Sequence, residues 1–526
     1  MAAKGKGGWT DERSAAGGRN PWLIVSIISM ATFMEVLDTS IANVSLTHIA
    51  GSLSASQDES TWVLTSYLVA NAVVIPLSGW LSDVLGRKRY YMISVGLFGI
   101  SSLCCGFAPN LAMLVAARIF QGMGGGGLAP SEQSILADTF PPDKRGQAFA
   151  AYGVVVVVGP VLGPTLGGWI TDNFSWHWIF LINVPVAVLS LFLVHFFVTE
   201  PEVLVKEREK RWKGGLSVDY IGFIFILLGL GCLEITLDRG ETDNWFASPF
   251  ICTTAIVSVC SLVALMIWEL NHKQPIIDLR LLGSRNFAVT TTFMVTTGAV
   301  LFGTTAILPQ MLQQVFGYDA TTAGLAMTTG GFATLVAMVI VGRLAGKVDT
   351  RLLLMPALAL QAGALWYMSG WSTQISFHDA SMGRLISAAG LPFLFIPIQT
   401  AAYVGLKPEN TNDASAILNV ARNLGGSFGI AITQAALIER GQFHQSRIVE
   451  TLSPLNPNYV ETIDRTGPAL GLTDPQGPVA VLYSQVQQQA QMLSYIDVFH
   501  GFMIFVLMVI PLGLLIKQGK SAGGHG

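Results

Sequence analysis

Glu35, Asp38, Arg118 and Glu132 are ionisable side chains inside stretches that are otherwise apolar enough for hydrocarbon. Glu35 and Asp38 are three residues apart, so on a helix they share a face. A charged side chain in a bilayer core costs about 2.5–3.5 kcal/mol on insertion scales. It persists by facing a water-filled cavity, by pairing, or by holding a proton. Desolvation penalises the charged form, which lets such an acid take up and release a proton near neutrality. Arg118 cannot be the carrier, because a guanidinium stays protonated, but its charge can tune an acid beside it. Glu132 is a second acid in the same apolar run as Arg118. The chemistry of this set is proton exchange; a static buried ion pair is the alternative.

Such residues need membrane-crossing helices to position them. The chain has 526 residues, 51% apolar and only 12% charged, too little charge to cover several soluble domains. A spanning helix needs about 20 mostly apolar residues. Fourteen runs qualify: 22–44, 61–81, 91–107, 111–137, 147–170, 178–198, 219–237, 250–269, 287–310, 322–345, 352–370, 382–404, 412–437 and 496–517. Unpaired backbone groups are not tolerated in lipid, so these runs are helices, and the alternation of barrel strands is absent. The expected fold class is an all-α polytopic membrane protein with 14 transmembrane helices. With the N-terminus inside, 23 of the 30 basic residues fall in inside loops, so both termini are expected in the cytoplasm. The first 20 residues are polar and Gly-rich, which argues against a cleavable signal peptide.

Other classes are disfavoured. A net charge of −3 suggests no nucleic-acid partner. The five cysteines lie in apolar runs without metal-ligand spacing, so no metal site is expected. The run Gly124–Gly127 lacks a following Lys-Ser/Thr, so it is not a phosphate loop. Neither an enzyme nor a cofactor is expected; energy must come from an ion gradient.

The chain also echoes itself. Arg118, Gly124, Pro130 and Gln133 in the fourth span match Arg384, Gly390, Pro397 and Gln399 in the twelfth, with Pro one residue out of step. The loop 79–89 (GWLSDVLGRKR) is repeated in degraded form at 342–351. Both echoes set spans 1–6 against spans 9–14. The organisation expected is a six-helix bundle over 1–200, a two-helix insert over 201–285, and a second six-helix bundle over 286–526 carrying an outside loop at 438–495. Duplicated halves are a transporter signature.

The glycines and prolines suggest moving parts. Span 4 holds Gly122, Gly124, Gly125, Gly126 and Gly127, then Pro130; this marks either a broken midplane helix or close packing through small residues. Span 5 sets Gly159, Gly163 and Gly167 four apart, a face for tight helix contact, with Pro160 and Pro164 placed to bend it. Tyr67, Asn71, Gln121, Gly125, Gln310 and Gln399 are cavity candidates, with helix packing the plainer reading.

Several segments carry a family resemblance. GWLSDVLGRKR (79–89) resembles the loop signature of the major facilitator superfamily, and RIFQGMGGGG (118–127) its fourth-helix motif. GVVVVVGPVLGPTLGG (153–168) resembles the fifth-helix motif associated with antiporters, and VLDTSIANVSL (36–46) the first-helix motif of fourteen-span drug:proton antiporters. LDRGETDNWF (237–246), PIIDLRLLGSRNF (275–287) and LPQMLQQVFGYDATTAGL (308–325) resemble the EmrB branch. The resemblance implies two bundles that rock about a central cavity and export hydrophobic toxic compounds from the bacterial inner membrane. It implies a periplasmic adaptor and an outer-membrane channel as partners, and protons as the coupling ion. It places the motif acid at Asp38 and turns Arg118 toward the first helix, so that Asp38 or Glu35 is its partner. It makes Gly79, Asp83, Gly86, Arg87 and Arg89 a cytoplasmic gate in which Asp83 meets the start of span 13 near Thr411, and it gives the span-5 bend control of outer closure. The rivals are a same-fold exporter of one metabolite, fatty acid or peptide, and a receptor or scaffold without transport. The second has no need of intramembrane acids.

Overall fold

The computed structural model describes residues 20–141, 144–200, 205–206, 208–209, 212, 219–272, 275–345, 347–404, 406, 410–450, 452–453, 456–469 and 476–516. The basic N-terminal tail, Lys210, Arg211, Lys213, Lys273, Lys407, Lys517 and Lys520 lie outside the described residues.

Long helices account for nearly all of the described chain. In order they are α1 Pro21–Val44, α2 Trp62–Leu85, α3 Arg87–Gly106, α4 Leu111–Thr139, α5 Arg145–Asn173 and α6 His177–Phe197. After these come α7 Tyr220–Arg239, α8 Pro249–Asn271, α9 Arg285–Gln314, α10 Ala320–Leu344, α11 Thr350–Ser369, α12 Phe377–Ala402, α13 Thr411–Glu450 and α14 Gly477–Leu515. Among the described residues, 11 of these are long and apolar enough to cross a membrane. The other three, α3, α5 and α13, are of spanning length and are compatible with fourteen crossings.

The boundaries follow ordinary helix chemistry. Asn20 caps α1 by accepting from the Trp22 amide, and Pro21 occupies the first turn, where its missing N–H costs nothing. Ser376 and Asp379 form a reciprocal capping box at the start of α12. Gly86 sits at φ +95° between α2 and α3, a conformation costly for any residue with a Cβ. The helix α4 turns at Gly126–Gly127 between its two segments.

One departure from the sequence reading concerns 438–495. Expected as a loop, this region is mostly helical among the described residues. Helix α13 continues to Glu450, a short helix covers Pro457–Ala469, and α14 begins at Gly477. The reason is local: 438–450 is Ile-Glu-Arg-Gly-Gln-Phe-His-Gln-Ser-Arg-Ile-Val-Glu, rich in helix formers and free of Pro. At 40 residues, α13 is about 60 Å long, twice the hydrocarbon thickness, so its end must project beyond the bilayer. Arg440 and His444 of α13 both reach Asp497 of α14, at 2.5 and 2.8 Å.

The helix pairs recur in parallel sets. α1 packs on α5 as α9 packs on α13; α2 and α3 pack on α4 as α10 and α11 pack on α12; α3 meets α6 as α11 meets α14. The two sets touch through α5 with α10 and through α2 with α13. Helices α7 and α8 pair with each other, and α7 leans on α2 and α13. Outward-facing apolar residues such as Ile256, Val259, Val263 and Met266 on α8 are exposed, as a lipid-facing surface requires.

Candidate functional site

Asp38 and Arg118 meet. Arg118 Nη1 donates to Asp38 Oδ2 at 2.6 Å, and both side chains are fully buried. The carboxylate takes two more donors, Gln121 Nε2 at 2.9 Å and Asn183 Nδ2 at 2.7 Å, both on Oδ1. Ser102 accepts from the same two amides at 2.9 and 3.0 Å. Arg118 also donates from Nε to the Val63 carbonyl at 3.0 Å and from Nη1 to Gln121 Oε1 at 2.8 Å. Its guanidinium lies 4.3 Å from the Tyr67 ring centre and 5.5 Å from that of Phe180. A buried ion pair holds together only when its remaining polar atoms are satisfied; here α1, α3, α4 and α6 each contribute a side chain to that end. Gln121 was expected in the cavity wall. It is instead sealed in this cluster, because Arg118 and Gln121, three apart, share one face of α4.

Glu35 sits one turn before Asp38 in a different setting. It is half-buried and accepts from Asn71 Nδ2 at 3.2 Å and Tyr67 Oη at 3.4 Å. Arg422 of α13 faces it from the other half. Tyr67 therefore stands between the two acids, its ring on Arg118 and its hydroxyl on Glu35. A Cβ at Gly125 would lie 2.5 Å from that hydroxyl and 3.1 Å from Asn71 Nδ2, so Gly125 makes room for the pair rather than lining open space. Glu132 is fully buried. It accepts from Thr32 at the amide (3.2 Å) and the hydroxyl (2.5 Å), and from Tyr91 Oη at 3.3 Å. Thr32, Glu35 and Asp38 follow one another at three-residue steps along α1. The three acids are thus stacked over about 9 Å of its axis, with Glu132 nearest the start of α1.

The end of the molecule carrying the start of α1 is closed by contacts between the halves. Asn412 Nδ2 donates to Asp83 Oδ1 at 2.5 Å. Asp413 fills the space a Cβ on Gly79 would take, its Oδ1 only 2.8 Å from that position. Arg87 pairs with Asp138 and receives Glu200 on its amide at 3.1 Å, while Arg89 is exposed. Gly86 is packed beneath Arg208 and Glu200, which pair at 2.7 Å. Deeper in, Gln133 exchanges hydrogen bonds with Asn419 at 2.8 and 3.3 Å and accepts from Gln399 at 3.3 Å. Ser415 donates to the Pro130 carbonyl at 2.9 Å. Gln399, expected in the cavity, is 1% exposed and lies in this seam. Gln133 and Gln399 occupy matching places in the sequence echo, so the repeat-related pair meets across the interface.

The α5 glycines face α1. Cβ positions on Gly159 and Gly167 would come within 2.8 Å of Val36 and 2.9 Å of Ile41, and one on Gly163 would collide with Ser40. The helix runs without interruption through Pro160 and Pro164. On the other half, Gln310 is half-buried and accepts from Gln434 Nε2 at 3.1 Å. Helix α7 is pinned to both halves: Ser427 donates to Glu234 at 2.9 Å, Arg239 Nη1 to Thr61 Oγ1 at 2.6 Å, and Thr65 to Asp238.

Sequence reasoning passed over Thr32, Tyr91, Ser102 and Asn183. Each is a polar residue in an apolar run, which is the available signal, but nothing in the local pattern says which acid it serves.

The comparisons agree with this geometry. Residues 28–430 match the family model described as Major Facilitator Superfamily. The Multidrug export protein EmrB of Haemophilus influenzae is 36% identical over 481 residues, covering 91% of this chain and 92% of the relative. The Escherichia coli K12 protein of the same name is 35% identical over 500 residues, covering 95% and 96%. The Fatty acid resistance protein FarB of Neisseria gonorrhoeae is 34% identical over 505 residues, covering 96% and 97%. Among solved structures, the proton:xylose symporter XylE superposes with a TM-score of 0.59 at 15% identity, over 94% of this chain and 99% of that one. With paired helical halves, buried acids on α1 and matches over most of its length, the chain belongs to the major facilitator superfamily, in the branch of the EmrB proteins.

Proposed function

We propose that this chain is a proton-driven exporter of hydrophobic toxic compounds in the bacterial inner membrane, working by alternating access between bundles 1–200 and 286–526. The two-helix insert 201–285 would tie the bundles together, both termini would be cytoplasmic, and protons would be the only energy source, with no cofactor. A periplasmic adaptor and an outer-membrane channel would complete the export path, with the projecting 438–495 region as the docking element. The similarity to the Multidrug export proteins EmrB supports export of varied compounds. That to FarB supports a narrower reading in which the cargo is an amphiphilic acid.

The observation that carries the reading is the cluster around Asp38 beside Glu35 and Glu132. Arg118, Gln121 and Asn183 all donate hydrogen bonds to Asp38. A proton on Asp38 removes the charge that Arg118 now meets and leaves a buried guanidinium uncompensated, which is strongly unfavourable. The tie among α1, α3, α4 and α6 then loosens. Because α1 is keyed into the α5 glycines and α5 packs on α10 of the other half, movement of α1 reaches the interface. Proton exchange and the closure of the Asp83–Asn412 end are thereby linked.

The test is accumulation of a lipophilic dye in cells with and without the gene. Lower accumulation with the gene, abolished when the pH gradient is collapsed, is the expected result. Dye exclusion that survives collapse of the gradient would rule out proton drive.

A further inference from the structure

The first half neutralises Arg118 with a buried carboxylate; among the described residues of the second half none does so for Arg384. Arg384 lies inside α12, seven residues from its start. It occupies the place in the repeat that Arg118 holds in α4. The step of 266 residues from Arg118 to Arg384 also carries Gln133 to Gln399; the glycine contacts align α1 with α9 (Gly159 meets Val36 and Gly163 meets Ser40, as Gly425 meets Val295 and Gly429 meets Ala299), which sets Thr297 opposite Asp38. The repeat therefore has a threonine where the first half has its carboxylate. In the structure Arg384 Nη2 donates to Thr305 Oγ1 at 3.3 Å, while Nε and Nη1 are shielded from solvent and have no hydrogen-bond partner. Among the described residues no carboxylate pairs with Arg384. Its side chain lies over Gly330, where a Cβ would sit 2.9 Å from Nε. Arg384 and Thr305 are both half-buried, on α12 and α9, so the site is not wholly sealed.

A permanently charged guanidinium with two idle donors in a membrane span lacks an anion. Among the described residues none supplies it. A guanidinium donates charge-assisted hydrogen bonds to a carboxylate, and a carboxylate is the partner that Arg118 has in the first half. We propose that Arg384, with Thr305, forms a head-group site for amphiphilic carboxylates, the acid end taking the place that Asp38 fills beside Arg118 while the apolar tail lies along the surrounding helices. This deepens the reading of the chain as an exporter and rests on it for the site's purpose, but its test needs no gradient.

The probes are decanoate, decanol and decyltrimethylammonium, which share a ten-carbon tail and differ in head group, together with acetate. Binding is measured on purified full-length protein in detergent. The wild type should prefer decanoate to decanol by about ten- to a hundredfold, as expected for a charge-assisted hydrogen-bonded pair, and acetate should bind far more weakly. Arg384→Gln should bring decanoate down to the affinity of decanol and strengthen decyltrimethylammonium, whose charge the guanidinium repels, and Arg384→Lys should restore part of the preference. Thr305→Asp should also remove it, by giving the guanidinium an internal partner; this variant keeps the answer available if Arg384→Gln does not fold. No preference for decanoate in the wild type would overturn the proposal, as would a preference retained in folded Arg384→Gln or in Thr305→Asp. Acetate binding as tightly as decanoate would overturn the amphiphile assignment. None of these results bears on proton drive, which the dye assay tests separately.

Discussion

Asp38 is bound so tightly into its surroundings that its substitution separates structure from coupling. In Asp38→Asn the shape is kept but Arg118 becomes an uncompensated buried charge, a loss of about 3–5 kcal/mol for a broken buried pair. Thermal unfolding in detergent should show that loss, and adding Arg118→Gln should recover most of it, since removing both charges is far cheaper than removing one. A single variant as stable as the wild type would mean that the pair carries no net electrostatic weight. Much of this was readable beforehand. Two acids at helical spacing in an apolar run, and an arginine in another, announced themselves by cost alone. The neutral members did not. Gln121 and Tyr67 read as cavity residues because a polar side chain in a span is compatible with either a cavity or a buried network. Only the packing of α2, α3, α4 and α6 against α1 decides between them.

At the scale of elements, the α1–α5 contact leaves no space for a methyl group. Gly163→Ala should destabilise by about 1–3 kcal/mol, the usual cost of overpacking, with efflux falling in parallel. Ser40→Gly in the same chain should restore part of both, since Ser40 is what the new Cβ meets. Melting curves of the single and double variants check this; a neutral Gly163→Ala would show that the two helices separate freely. The gate makes a second prediction. Gly342 abuts Ala150, with a Cβ position 2.7 Å from the Ala150 Cβ, so cysteines at 150 and 342 in a cysteine-free background should crosslink readily. Asp83→Ala removes the acceptor for Asn412 and should lower that yield severalfold while substrate affinity holds. An unchanged yield would exclude Asp83 as a latch. Helix ends were the least legible feature. Helix α13 runs thirteen residues past the expected 437 and α14 starts nineteen before the expected 496. Apolarity marks where a helix lies in lipid, not where it stops, and the Gln-rich stretch 484–492 carries α14 on in a polar setting.

For the whole molecule, the repeat was legible from two short echoes, and the contact pattern gives it mechanical meaning. The halves touch through α5 with α10 and α2 with α13, and Gln133 meets its repeat-mate Gln399 in the seam. The asymmetry matters as much as the symmetry: the acids stand on the first half, and the unpaired arginine on the second. In the proposed exporter, rocking of the halves would bring acid chemistry and cargo to one interface from opposite sides. The bond of Glu234 on α7 to Ser427 was not legible, because nothing in a linear pattern tells which half such a helix leans on.

The central claim is that protonation of the α1 acid drives transport. The direct measurement is concentrative dye uptake into inside-out proteoliposomes under an imposed pH gradient, acid inside, comparing wild type with Asp38→Asn/Arg118→Gln. The account predicts that the wild type concentrates the dye against its gradient, whereas the variant binds it and carries it only to equilibrium. Continued uphill uptake by the variant, lost when the pH gradient is dissipated, would contradict it.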